Sequence, residues 1–196
     1  NKNSSVCIIG LGFVGLTLAT IMAKKGFKIY GIEKKKIILK RLKSKKSHFY
    51  EPGLDKDIKK ILKKKKFTFH SSIPNKKDIN TYIISVGTPL NKSKKIITKH
   101  ILKTAKIIAN QLKDGDCIIL RSTVKIGTTR NIVGKILNKT GKNFNLAFCP
   151  ERAVEGAALK ELNYLPQIIG GLDNKSVIRA KNIFKRITKK LSLIHI

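Results

Sequence analysis

A chain of 196 residues with 41% hydrophobic content can bury one sizeable core, so a single globular domain over residues 1–196 is expected. Its formal charge of +32 would suit nucleic acid or an anionic membrane, yet only six of the 43 basic residues are arginine, whose planar fork reads bases and phosphates. The lysine excess therefore indicates a biased, solvated surface rather than a specific nucleic-acid face. No run reaches the ~18–20 apolar residues of a membrane span, the N-terminus lacks the order of a secretory signal, and three scattered cysteines (Cys7, Cys117, Cys149) form neither a disulfide framework nor a zinc motif. The expectation is a cytoplasmic protein without membrane attachment or metal.

In chain order, SVCIIG (5–10) is a short β-branched run closed by glycine, and FVGLTLATIMAKKG (13–26) carries apolar residues at helical spacing as far as Gly26, a stop signal. Together they read as strand, turn, helix. FKIYGIE (27–33) reads as a second strand. TYIISVG (81–87), DCIILRS (116–122), FNLAFC (144–149) and PQIIGG (166–171) have the length and boundaries of further buried strands. Between them, Ile101, Leu102, Ala105, Ile108, Ala109 and Leu112 define a helix with Thr98 at its N-cap, and a second helix runs from Thr128 through Ile132, Val133, Ile136 and Leu137. Strands alternating with helices predict right-handed crossovers, hence an α/β, Rossmann-like, doubly wound and mostly parallel sheet with helices on both faces. No internal repeat or Pro/Ser-rich linker interrupts the pattern.

The first strand leads into GLGFVG, which sets Gly10, Gly12 and Gly15 in G-x-G-x-x-G spacing. Gly10 permits a tight turn, Gly12 lets backbone approach a pyrophosphate, and Gly15 lets the helix pack on the strand while its N-terminus points free N–H groups at the phosphates. Glu33 stands at the end of the second strand, eighteen residues past Gly15. A carboxylate there accepts hydrogen bonds from the ribose hydroxyls of NAD and repels the extra phosphate of NADP. Lys34, Lys35 and Lys36 follow directly and offer cations to such a phosphate. NAD remains the expected cofactor, with these lysines opening a solvent-facing helix.

Six segments, IIGLGFVGL, FYEPGL (49–54), ISVGTPL (84–90), RSTVKIGTT (121–129), FCPERAVEGAALKEL (148–162) and PQIIGG, occur in an order and spacing that resembles the N-terminal domain of the nucleotide-sugar 6-dehydrogenases, the family of UDP-glucose, UDP-N-acetylmannosamine and GDP-mannose dehydrogenases. The resemblance implies oxidation of a sugar C6 alcohol to a carboxylate in two NAD-dependent steps, through an aldehyde captured on a cysteine. By position it assigns NAD contacts to Phe13 and Val14 beside the glycines, to Glu33, to Thr88 and to Thr123, whose hydroxyl would also hold the hydrolytic water. Val86, Gly87 and Thr88 end a central strand at the carboxyl edge where dinucleotides bind, and Gly87 allows close backbone approach. It implies a UDP-sugar substrate and a homodimer for the full-length enzyme.

The resemblance also interprets FCPERAVEG (148–156). It places Glu151 and Glu155 near the reacting carbon and Arg152, Ala153 and Val154 against the nucleotide sugar. The four-residue spacing of the two carboxylates puts them on one face if the segment is helical. Cys149 ends an apolar run with no neighbouring histidine and is expected to be a core thiol, not the nucleophile. The family nucleophile belongs to a GGxCxPKD motif that does not occur here, so the chain reads as a fragment that stops near the start of the family's central helix, before the C-terminal substrate domain. The terminal LSLIHI also resembles the translation of a sequencing adapter. Competing readings are a free-standing NAD-binding module, another Rossmann oxidoreductase and a basic nucleic-acid-binding protein.

Overall fold

A computed structural model describes residues 5–76 and 78–195. The first strand, β1 (Ser5–Ile9), is buried along its whole length, as a strand covered on both faces must be. It runs into α1 (Phe13–Lys24), which is buried continuously from Gly15 to Ala23 and so reads apolar on every side. β2 (Lys28–Ile32) pairs in parallel with β1, Ile9 opposite Ile32.

Next come α2 (Lys36–Lys43), α3 (Leu54–Lys63), β3 (Phe67–His70), β4 (Ile79–Ile84) and α4 (Lys99–Ala109). In α3 only Leu54, Ile58 and Ile61 are buried, a single stripe at i, i+4 and i+7 amid lysine and aspartate. β5 (Cys117–Leu120), a π-helix (Thr128–Gly134), α5 (Lys135–Asn138), β6 (Asn145–Phe148), α6 (Ala158–Tyr164), β7 (Gln167–Gly171), α7 (Asn174–Phe184) and β8 (Leu191–His195) complete the chain.

The eight strands form one sheet in the order β3-β2-β1-β4-β5-β6-β7-β8. All neighbours are parallel except β6 and β7, so the predicted doubly wound, mostly parallel architecture is present. Two apolar layers cover it. One packs α1, α2, α3, α6 and α7 on the face that carries Ile8, Ile83 and Ile119; the other packs α4 and the π-helix/α5 segment on the face of Ile9, Tyr82 and Leu120. The chain goes from β1 to β2 on one side and returns to β4 on the other, so the strand order reverses between β1 and β4. In such sheets the crevice for a ligand opens beyond the carboxyl ends of those two strands.

The structure departs from the sequence expectation in three places. Thr98 occupies the N-cap of α4, but its hydroxyl makes no cap bond. The expected helix from Thr128 to Leu137 starts as a π-helix and becomes α-helical only at Lys135. Val133 and Leu137 still face the core, and apolar spacing cannot separate i+4 from i+5 bonding over so few residues. The two edge strands, β3 and β8, follow lysine-rich stretches that mask their short apolar patterns.

Candidate functional site

The three glycines of the first turn differ in what they leave room for. Gly10 has φ +94° and a Cβ built on it would lie 2.7 Å from the Ser85 carbonyl oxygen; a Cβ on Gly15 would run into the carbonyl oxygen of Gly10. Packing alone demands glycine at both. A Cβ on Gly12 would meet no protein atom within 4 Å. The protein does not need that face bare, whereas a group lying against the backbone does. Gly12 is also the N-cap of α1, offers no side chain to the helix end, and is followed by a first turn without acid. The positive end of α1 is thereby left to an anion. Phe13 and Val14 flank this face, both half-buried.

Glu33 follows β2 and reaches back to the same turn. Its carboxylate accepts the N–H of Leu11 at 3.2 Å and the N–H of Lys35 at 2.9 Å, so one side chain braces the glycine turn and the start of α2. Lys34, Lys35 and Lys36 are exposed.

Hydroxyls stitch the remaining carboxyl-edge loops to one another. Ser85 donates to the carbonyl of Gly10 at 2.8 Å, Ser122 to that of Val86 at 2.7 Å, and Thr88 to that of Thr123 at 2.8 Å. Val86, Gly87, Thr88 and Thr123 are thus brought to the crevice beside the glycine turn, with Gly87 and Thr123 exposed. The Thr88 hydroxyl spends its proton on the neighbouring loop and keeps its lone pairs for a ligand.

Beyond β6 the chain forms a loop rather than a helix, and α6 begins only at Ala158. The condition under which Glu151 and Glu155 would share a helical face is therefore not met. Glu151 is drawn inward to Arg121, the largest fully buried side chain, 1% exposed. Arg121 donates to one Glu151 oxygen from Nε at 3.2 Å and from Nη2 at 2.5 Å, to the Cys149 carbonyl at 3.0 Å and to Gln167 at 2.9 Å. The other Glu151 oxygen accepts the N–H groups of Arg152 and Ala153. These amides are satisfied by a side chain instead of by helix carbonyls.

Glu161 accepts from Val154 N–H, and Glu51 from those of Gly156 and Leu159. Arg152 donates to the Pro166 carbonyl at 3.3 Å. Glu155 is exposed, as is Val154 at 64%. Cys149 is fully buried and burial raises its thiol pKa, while the same cause pushes Cys7 and Cys117 up to about 12. A buried thiol held in this state is inert at neutral pH.

Residues 4–188 match the family described as UDP-glucose/GDP-mannose dehydrogenase, NAD binding domain. The chain belongs to this family. It is an NAD-binding Rossmann domain of an oxidoreductase family. UDP-N-acetyl-D-mannosamine dehydrogenase of Methanococcus aeolicus is 34% identical over 184 residues, covering 92% of this chain and 41% of the relative. Among solved structures, UDP-D-ManNAc dehydrogenase from Pyrococcus horikoshii superposes with a TM-score of 0.92 at 28% identity, over 97% of this chain and 47% of that one. UDP-N-acetyl-mannosamine dehydrogenase from Staphylococcus aureus gives 0.91 at 25%, over 98% and 47%. The chain thus spans less than half the length of these relatives. Among the described residues no helix is long and apolar enough to cross a membrane.

Sequence reasoning singled out the loop residues of this NAD-binding domain but missed Arg121, Glu51, Glu161 and Gln167, which hold them. All four lie inside segments that carried the resemblance, RSTVKIGTT, FYEPGL, FCPERAVEGAALKEL and PQIIGG. A buried arginine leaves no periodic trace, and its partners are 28, 30 and 46 residues away.

Proposed function

We propose that this chain is the cofactor part of a UDP-sugar 6-dehydrogenase that oxidises the C6 alcohol of a UDP-N-acetylhexosamine to the carboxylate with two NAD, for polysaccharide precursors. The observation that carries the cofactor side of this reading is the open face at Gly12, set under an uncapped helix terminus and beside Glu33. The names of the relatives support the substrate side. Bound NAD supplies the hydride acceptor.

Within that reading, Gly10, Gly12 and Gly15 admit the pyrophosphate, with Phe13 and Val14 against it, and Glu33 takes the ribose hydroxyls. Val86, Gly87, Thr88 and Thr123 lie along the nicotinamide side. Arg152, Ala153, Val154 and the loop backbone meet the nucleotide sugar. Glu155, exposed on that loop, is the carboxylate free to take a proton from water, and Thr123 offers a hydroxyl to the same water. Glu151, with both oxygens committed, orients the loop.

Calorimetric titration of this chain tests the cofactor assignment. NAD should bind more tightly than NADP, because Glu33 repels the added phosphate; equal or tighter NADP would overturn the role of Glu33 and point to Lys34, Lys35 and Lys36. Fused to the C-terminal half of a UDP-N-acetylmannosamine dehydrogenase, the chain should yield two NADH per sugar. Glu155→Gln should then cut the rate by about 10² or more.

A further inference from the structure

The chain has five glutamates against 43 basic residues, and three of the five hold one loop. Glu151 and Glu161 lie in or just after it. Glu51 comes from 105 residues away. Its side chain is 5% exposed, and its two oxygens take the N–H of Gly156 at 2.9 Å and of Leu159 at 3.1 Å. Leu159 is in the first turn of α6, whose N-cap residue, Ala157, has no side chain to cap with. Glu51 is thus a helix cap supplied from another part of the fold, charged to suit the positive helix end.

The segment that carries Glu51 is itself fixed at both ends. Arg41 donates to the Ser47 carbonyl, Ser47 N–H donates to Asp55, and the Ser47 hydroxyl donates to the Phe49 carbonyl. Phe49 then packs edge-on against Phe13, with ring centroids 5.4 Å apart. Phe13 opens α1 in the glycine turn. One short segment therefore touches the cofactor turn with a ring and the nucleotide-sugar loop with a carboxylate.

We infer that Glu51 is a positioning residue that registers the nucleotide-sugar loop against the dinucleotide turn, so that cofactor and sugar are held at a fixed separation. The inference rests on the proposed role of residues 151–155 in sugar binding. A dinucleotide that orders Phe13 orders Phe49, and through Glu51 it protects the amides of Gly156 and Leu159. Neither Glu51 nor Phe49 touches the reacting atoms.

Residue-resolved amide exchange on this chain, with and without NAD, tests it. Glu51→Gln keeps the shape and one acceptor oxygen but loses the charge and the second acceptor. Gly156 and Leu159 should exchange about tenfold or more faster, while the strand amides of β1 and β4 stay unchanged. Unaltered exchange at both amides overturns the assignment. Glu51→Asp, which retracts the charge by one methylene, should give a smaller change in the same direction and serves if the glutamine variant does not fold.

In the unsubstituted chain NAD should slow exchange at Gly156 and Leu159 as well as at Gly12, Phe13 and Val14. In Phe49→Leu the NAD-free protection of Gly156 and Leu159 should remain, but its increase with NAD should vanish, which a merely structural Glu51 would not produce. Persistence of that increase in Phe49→Leu, or its absence in the unsubstituted chain while Gly12 to Val14 are protected, overturns the registration. If NAD protects nothing at Gly12 to Val14, the cofactor reading has failed and the registration with it, and the ligand-free comparison still decides whether Glu51 holds the loop.

Discussion

A side chain at Gly12 has space that one at Gly15 lacks, and this separates binding from folding at two positions of one motif. Gly12→Val should leave the thermal midpoint close to that of the unsubstituted chain and abolish NAD binding, because the added methyls occupy the ground a pyrophosphate needs. Gly15→Val should instead fail to fold or melt far lower, since its Cβ collides with the Gly10 carbonyl. Calorimetric titration and thermal denaturation of the two variants decide this, and NAD binding by a folded Gly12→Val protein would remove Gly12 from the site. The glycine spacing and Glu33 were legible in the sequence because a short chemical pattern carries them. The bonds of Glu33 to Leu11 and Lys35 were not, because they depend on how the turn closes. The core fate of Cys149 was legible from its apolar run, and its full burial bears this out.

At the level of elements, the loop from Pro150 to Ala157 exists because its amides find carboxylates before they can find helix carbonyls. Four-residue spacing of Glu151 and Glu155 looks helical on paper, but Arg121 pulls Glu151 into the core, and Glu51 sets the helix start at Ala158. Strands with strong apolar runs were readable, whereas β3 and β8 at the sheet edges were lost among lysines, and the π-helix was hidden by a period too short to resolve. The ion pair is the element's anchor: side-chain exposure is 0% for Arg121 and 10% for Glu151. Arg121→Met should cost about 3–5 kcal/mol, because it leaves a nearly buried carboxylate without its cation. Adding Glu151→Leu should recover part of that loss, since removing both charges is cheaper than stranding one. Urea unfolding of the single and double variants measures both. A double variant no more stable than Arg121→Met would show that the pair is not coupled.

Over the whole molecule, two apolar layers around one sheet hold together a chain whose formal charge is +32. Like charges on such a surface repel, and salt screens them over a Debye length of about 10 Å at 0.1 M, so raising NaCl should raise the thermal midpoint while it weakens any sequence-independent hold on nucleic acid. Acidification acts in the opposite direction through two histidines. Burial is the main cause that holds the His48 ring below the ordinary imidazole value of 6.5, with Arg41 and Lys35 adding to it and Glu33 opposing; burial, then Lys76, does the same at His70. A folded chain that takes these protons less readily than the unfolded chain loses stability as pH falls through the ordinary imidazole value. Asp116 works the other way: burial raises its pKa, so folding is favoured as it protonates, but in the carboxylate range at lower pH. Between pH 7.5 and 5.5 the midpoint should therefore fall at constant ionic strength. Replacing His48 and His70 together by Gln should flatten that slope. A midpoint that stays level or rises on acidification in the unsubstituted chain would show that neither ring is held neutral by the fold.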